Sequence, residues 1–119
     1  MKFKELKIWQ ESHKLTLEIY KLTDSFPKSE LYEISSQIQR ASSSVPANIV
    51  EGYNRKGDKE FIQYLYQSRG SLSETEYFII LATDLKYINQ SKSDELLARY
   101  EVLSKMLSSF ITYIKNEKQ

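Results

Sequence analysis

No cysteine occurs anywhere in the chain, which removes disulfides, thiolate metal sites and cysteine nucleophiles together and fits a reducing compartment. Histidine is nearly as scarce, since His13 stands alone. Carboxylate-bridged metal bundles draw a Glu-x-x-His pair from each of two helices, so one histidine cannot complete such a centre, and no metal or cofactor is expected. Three glycines and two prolines are too few for a turn-rich β architecture, and no alternating β-branched segment bounded by turn residues is present. The longest apolar stretch, Tyr77 to Ala82, falls far short of the roughly 20 residues that cross a bilayer, and Met1-Lys2-Phe3-Lys4-Glu5 opens no signal-peptide core. A soluble, cytoplasmic protein with no membrane partner is therefore expected. An excess of one charge is missing too: 17 basic residues against 16 acidic leave a net +1, so no global field draws nucleic acid toward the molecule.

What is abundant is Leu, Lys, Glu, Ser and Tyr, a helix-forming set, and 119 residues fit one domain over 1–119. The first helix is predicted from Lys4 to Ser25, with Leu6, Trp9, His13, Thr16, Tyr20 and Thr23 on one line and Leu15, Ile19, Leu22 and Phe26 beside it; Pro27 stops it. Ser29 caps a second helix from Glu30 to Arg55, which leaves through a left-handed Gly57. Asp58 caps the third, Lys59 to Tyr87, whose seam is Phe61, Leu65, Ser68, Leu72, Thr75, Ile79 and Ala82. After Asn89-Gln90, Ser91 or Ser93 caps a fourth with Leu96, Tyr100, Leu103, Leu107, Phe110 and Ile114; the polar end from Lys115 to Gln119 is expected to fray. Long helices with short connections predict an all-α, antiparallel up-down-up-down four-helix bundle about 40 Å long.

The second helix writes its pattern straight through a proline. Ile34, Ile38, Ala41, Val45, Ile49 and Gly52 keep helical spacing past Pro46, although Pro46 cannot donate to the Ser42 carbonyl and costs an exposed helix about 3 kcal/mol. Packing must offset that, and a kink near Pro46 is expected. Gln37, Arg40, Ser44, Asn48, Glu51 and Arg55 form a polar line on the same helix. Gly70 with Ser71 in the third helix, and Gly52 in the second, read as points of close helix contact. Leu97, Met106, Ile111 and Tyr113 on the fourth helix and Tyr64, Tyr66, Tyr77, Phe78 and Leu81 on the third exceed what one bundle core needs, which favours a homo-oligomer.

Enzyme chemistry is poorly supplied. His13 reads as a packing histidine on an apolar line, and no nucleophile elbow or phosphate loop is present. Helical-bundle ribonucleases of the HEPN type carry an arginine followed shortly by histidine, and here no histidine follows any arginine. The chain is read as no enzyme. Glu51, Glu74 and Glu76 could cluster, or pair with arginines. Between Gln37 and Gly70, Arg40, Arg55, Lys56, Lys59 and Arg69 outnumber the acids by two. On one end or side of the bundle these five would contact nucleic-acid phosphates, with Gln37, Asn48, Glu51 and Glu74 fixing an interface or orienting the cations. The competing reading pairs Arg40 and Arg55 with Glu51 or Glu74, leaving a structural adaptor whose apolar excess docks another protein.

Trp9 and Ser12, Phe26-Pro27 with Glu30-Leu31-Tyr32, Gln37-Ile38 with Arg40-Ala41, Val45-Pro46-Ala47-Asn48-Ile49 with Glu51-Gly52, Arg55, Phe61, and Gly70-Ser71 with Glu74 span nearly the whole chain. In that combination the chain resembles the four-helix-bundle proteins encoded by open reading frames inside intervening sequences of bacterial 23S ribosomal RNA genes. The resemblance implies an up-down-up-down bundle assembled as a homopentamer. A related branch serves diversity-generating retroelements, contacting a reverse transcriptase and nucleic acid, so RNA, DNA or a nucleic-acid-processing protein are the partners implied. Where the family often reads Gln-Ile-Arg-Arg-Ala, Gln39 precedes Arg40 here and removes one positive charge; Ser42-Ser43-Ser44 replaces an alanine-rich approach to the proline, with hydroxyls expected to serve carbonyls that Pro46 frees.

Overall fold

Four long helices follow one another along the chain: α1 (Lys7–Thr23), α2 (Ile34–Tyr53), α3 (Asp58–Asp84) and α4 (Gln90–Glu117), with short 3₁₀ turns at Lys2–Glu5 and Lys28–Glu30. This computed structural model describes residues 2–30 and 33–117, with no strand among them. The architecture is the all-α four-helix bundle that the periodicities predict. Leu31 and Tyr32, part of the family-like motif, and Lys118 and Gln119, part of the expected fraying end, lie outside the described residues.

The α3 seam is buried from Leu65 to Ala82 at every predicted position, with Phe61 packed on its edge. In α2, Ile38, Ala41, Val45, Ile49 and Gly52 are buried. Neighbouring helices run antiparallel where they touch: the Ser68 hydroxyl of α3 meets the Val45 carbonyl of α2, while the α3 residues Phe61 and Tyr64 stand against Gly52. The same holds for α1 and α2, where Thr16 reaches Ser42 and Gln39 reaches Thr23.

Helix α2 continues unbroken past Pro46, held there by its neighbours. The Ser42 carbonyl has lost its helical donor to the proline ring. The Thr16 hydroxyl of α1 stands 3.0 Å from that carbonyl and 2.8 Å from its own Ser12 carbonyl. Two further carbonyls in this turn take side-chain donors, Val45 from Ser68 at 2.8 Å and Ser44 from the Asn48 amide at 2.8 Å. Buried carbonyls without partners are costly, so donors from α1 and α3 stabilise the proline turn from both sides. The hydroxyls of Ser42 and Ser43, expected to serve the carbonyls freed by the proline, instead donate back to the Gln39 and Arg40 carbonyls.

Several boundaries differ from the sequence reading. α1 begins at Lys7 and ends at Thr23, because Leu6 carries extended backbone and the chain tightens into turns before Phe26. Its buried stripe is Ile8, Ser12, Leu15, Thr16, Ile19 and Thr23, so Tyr20 faces solvent. α2 starts at Ile34, and Ser29 lies in the preceding 3₁₀ turn instead of capping. Gly57 is extended (φ −161°, ψ 158°) and is itself the residue before α3, which starts at Asp58. The left-handed residue is Lys86 (φ 71°), beyond the far end of α3. Lys86 N–H bonds the Thr83 carbonyl and Tyr87 N–H the Ala82 carbonyl, a Schellman closure that ends the helix at Asp84, short of the expected Tyr87. Asn89, neither Ser91 nor Ser93, caps α4: its Oδ1 accepts the Lys92 N–H at 2.8 Å. Ile111, counted as surplus, is core, and α4 stays helical through Glu117.

The two helical glycines behave differently. A Cβ on Gly52 would stand 2.7 Å from Tyr64 Cβ and 2.9 Å from Phe61 Cδ1, so α2 and α3 touch through that missing atom. Nothing lies within 4 Å of the corresponding point on Gly70, so the expected close contact is absent there.

Candidate nucleic-acid interface

The end where α2 hands over to α3 is built by the Gly52 contact and by rings that pack behind it. Tyr53 meets Phe61 edge-on at 6.1 Å, and Phe61 meets Phe110 of α4 edge-on at 5.9 Å. On that footing the connection Arg55-Lys56-Gly57 is exposed. Arg55 Nη2 donates to the Tyr64 hydroxyl at 2.7 Å, its guanidinium lies 5.0 Å from the Tyr64 ring centroid, and Glu51 Oε2 stands 3.5 Å away. Lys59, Glu60, Gln63, Tyr64 and Gln67 line a groove of ≈ 500 Å³ on the adjoining face of α3. Arg55 and Lys59 thus meet around a half-buried tyrosine and two amides, and Lys56 is exposed in the connection between them. The Arg55–Glu51 pair is exposed and one helical turn long, a kind worth little, so a phosphate could replace the carboxylate.

The other predicted residues lie elsewhere. Arg40 is exposed on α2, fifteen residues before Arg55, about 22 Å along the axis, and Gln37 is exposed near it. Asn48 is half-buried and commits its amide to the Ser44 carbonyl. Glu51 serves Arg55, while Glu74 is exposed about 15 Å further along α3 from the Tyr64 level, so Glu51, Glu74 and Glu76 form no carboxylate cluster. Among the described residues no group of three potential ligands is placed to hold a metal ion.

Arg69 sits half-buried on the α4 side of α3. Its Nη1 donates to the Ser108 hydroxyl at 3.1 Å, and its guanidinium lies 5.0 Å from the Tyr66 centroid. Lys115 Nζ donates to the Tyr66 hydroxyl at 2.5 Å. So close to that oxygen and 5.1 Å from the centroid, the ammonium lies off the ring edge, a hydrogen bond and not a face contact. Sequence reasoning missed Lys115, Ser108 and the Tyr66 hydroxyl; the one signal available was Tyr66 three residues before Arg69, a spacing that stacks side chains on one helix face.

Away from these clusters, Glu18 of α1 accepts from Lys92 of α4 at 2.9 Å, with Arg99 at 4.0 Å. The Lys92 hydrogen bond holds the Glu18 carboxyl below its ordinary range. Glu76 is shifted upward, chiefly by burial and then by Glu101. Burial also pushes the Tyr100 phenol upward; its hydroxyl has no hydrogen-bond partner among the described residues. His13 is half-buried and stacks on Trp9 at 4.8 Å. A second groove, of ≈ 530 Å³, opens between α1 and α4 along Leu6, Ile8, Val102, Met106, Phe110 and Tyr113, with Val102 59% and Tyr113 58% exposed. No helix among the described residues is long and apolar enough to cross a membrane.

Four helices around one core, a proline-bearing second helix braced from both sides and cations at the α2–α3 end define a small helical-bundle protein. It belongs to the family of 23S rRNA-intervening sequence proteins, which the chain matches over residues 4–109. A crystal structure of a protein of unknown function from the S23 ribosomal protein family of Bacteroides thetaiotaomicron is similar in fold, with 25% identity and a TM-score of 0.78 over 87% of this chain and 97% of that one. No curated protein matches the chain.

Proposed function

We propose that this protein is a non-enzymatic, cytoplasmic, oligomeric bundle, a homopentamer as the family resemblance implies, that binds RNA or a ribonucleoprotein through its α2–α3 end. The observation that supports this most is Arg55 and Lys59 beside Tyr64, Gln63 and Gln67, with Lys56 exposed in the adjoining connection. Cations there neutralise phosphates, and the amides and ring give bases something to meet. One protomer offers few contacts, so affinity is weak; a ring of protomers multiplies them without new chemistry. Arg40, exposed toward the far end of α2, adds a separate contact.

The test is anisotropy of a labelled short single-stranded RNA across a salt series, together with a light-scattering mass. Log affinity falls with log salt by about 0.7 per phosphate engaged, and Lys56→Gln with Lys59→Gln flattens that slope. A protein that shows no salt-sensitive affinity at low ionic strength, or a monomeric mass, ends the proposal.

A second reading is favoured by the α1–α4 groove, whose half-exposed Val102 and Tyr113 leave apolar area uncovered. On it the protein is an adaptor that docks a partner, such as a reverse transcriptase, with Arg55 retained in its ion pair with Glu51. Val102→Glu then abolishes partner capture, while Lys56→Gln and Lys59→Gln leave it unchanged.

A further inference from the structure

We propose that Tyr66, Arg69, Ser108 and Lys115 form a second phosphate-ester site, on the α3–α4 face, for the backbone of a bound nucleic-acid strand. This rests on the nucleic-acid reading above and extends it to residues outside the α2–α3 end. Two cations from different helices converge on one phenol: the Arg69 guanidinium 5.0 Å from the ring centroid, and Lys115 Nζ on the hydroxyl. Neither takes part in any ion pair among the described residues, whereas Lys14, Arg55, Lys92, Arg99 and Lys105 each do. Like charges gathered without a carboxylate repel one another, and a bound anion relieves that repulsion.

The donor set favours phosphate over carboxylate. A guanidinium fork, an ammonium and two hydroxyls approach from different elements, which suits a tetrahedral group with several acceptor oxygens; a planar carboxylate is filled by the fork alone. Gly70 lies one turn beyond Tyr66 on the same face of α3. Gly70 is exposed, with open space where a Cβ would stand. Tyr64 and Tyr66 are two residues apart, so this cluster and the Arg55 cluster sit at nearly one height on opposite flanks of α3, within reach of one strand crossing the end of the bundle.

The experiment compares wild type, Lys115→Gln and Lys59→Gln by anisotropy with the short single-stranded RNA over a salt series, and by NMR of the tyrosine rings during titration with inorganic phosphate. Expected is a salt slope shallower by about 0.7 for Lys115→Gln, with unchanged thermal melting, and phosphate-induced shifts of Tyr66 that vanish in that variant. If Lys59→Gln weakens RNA binding while Lys115→Gln does not, and phosphate leaves Tyr66 unmoved, this site is overturned and the α2–α3 reading stands. If RNA does not bind but phosphate shifts Tyr66 in wild type only, the strand is overturned and the site serves free phosphate esters. If poly-glutamate shifts Tyr66 where phosphate and RNA do not, the surface takes acidic peptide and the proposal fails.

Discussion

The Thr16 hydroxyl of α1 lies 3.0 Å from the Ser42 carbonyl of α2, the one carbonyl that Pro46 deprives of its helical donor. A hydroxyl has one proton, and the Ser12 carbonyl, its other neighbour, sits in the regular α1 ladder already, so Ser42 is where the proton matters. Thr16→Val leaves the Ser42 carbonyl buried and unpaired and lowers stability by about 1–3 kcal/mol in urea denaturation. In a Pro46→Ala background the helix recovers its own N–H, and the same substitution costs markedly less. Additive effects in this double-mutant cycle would show that the two residues do not communicate.

Gly52 and Gly70 give opposite outcomes for the same change. Gly52→Ala drives a methyl to 2.7 Å from Tyr64 Cβ and destabilises by about 1–3 kcal/mol. Gly70→Ala meets nothing and stabilises by about 1 kcal/mol. Melting temperatures of the two variants, moving in opposite directions, are the check.

Lys86 holds a left-handed conformation that suits glycine better. Lys86→Gly raises stability by about 1 kcal/mol while Lys86→Ala does not, as read by denaturant midpoints.

Two carboxylates give opposite pH signatures. Glu18 has its folded value lowered, chiefly by the Lys92 hydrogen bond, so its contribution is present above the ordinary carboxylate value and is lost as pH falls through the lowered one. Glu18→Gln is therefore less stable than wild type at neutral pH, and the gap closes in acid. Glu76 is raised by burial, so its ionisation costs stability as pH climbs from the ordinary value through the raised one. Glu76→Gln is more stable than wild type at neutral pH, and that gap closes below the same window. Urea midpoints across a pH series measure both.

The third helix was the most legible part of the chain because its seam mixes Leu and Ile with Ser68 and Thr75 at unbroken helical spacing. Helix α1 was less so: Ser12 is buried and Tyr20 exposed, a reversal of what polarity alone indicates, since the small Ser12 hydroxyl satisfies itself on the Trp9 carbonyl at 3.0 Å. Helix ends misled where the cap was an unexpected residue, Lys86 in place of glycine and Asn89 in place of serine. The Arg55–Lys56–Lys59 group was readable because its members are neighbours in sequence. Lys115 was not, because its tyrosine partner lies 49 positions away and its own segment is polar like a tail. Gln39, read as a lost charge, turns toward α1 and donates to the Thr23 hydroxyl at 2.8 Å.

Aliphatic seams alone tolerate sliding, since one leucine layer resembles the next when a rod slips by a turn of about 5.4 Å. The bonds from Thr16 to Ser42 and from Ser68 to Val45 oppose that slip, because sliding α1 strands the Ser42 carbonyl in hydrocarbon and sliding α3 strands the buried Ser68 hydroxyl. The imino acid thus works as an indexing notch for the first rod, and the Ser68 hydroxyl does the same for the third, so that between them they set the height at which surface cations are displayed.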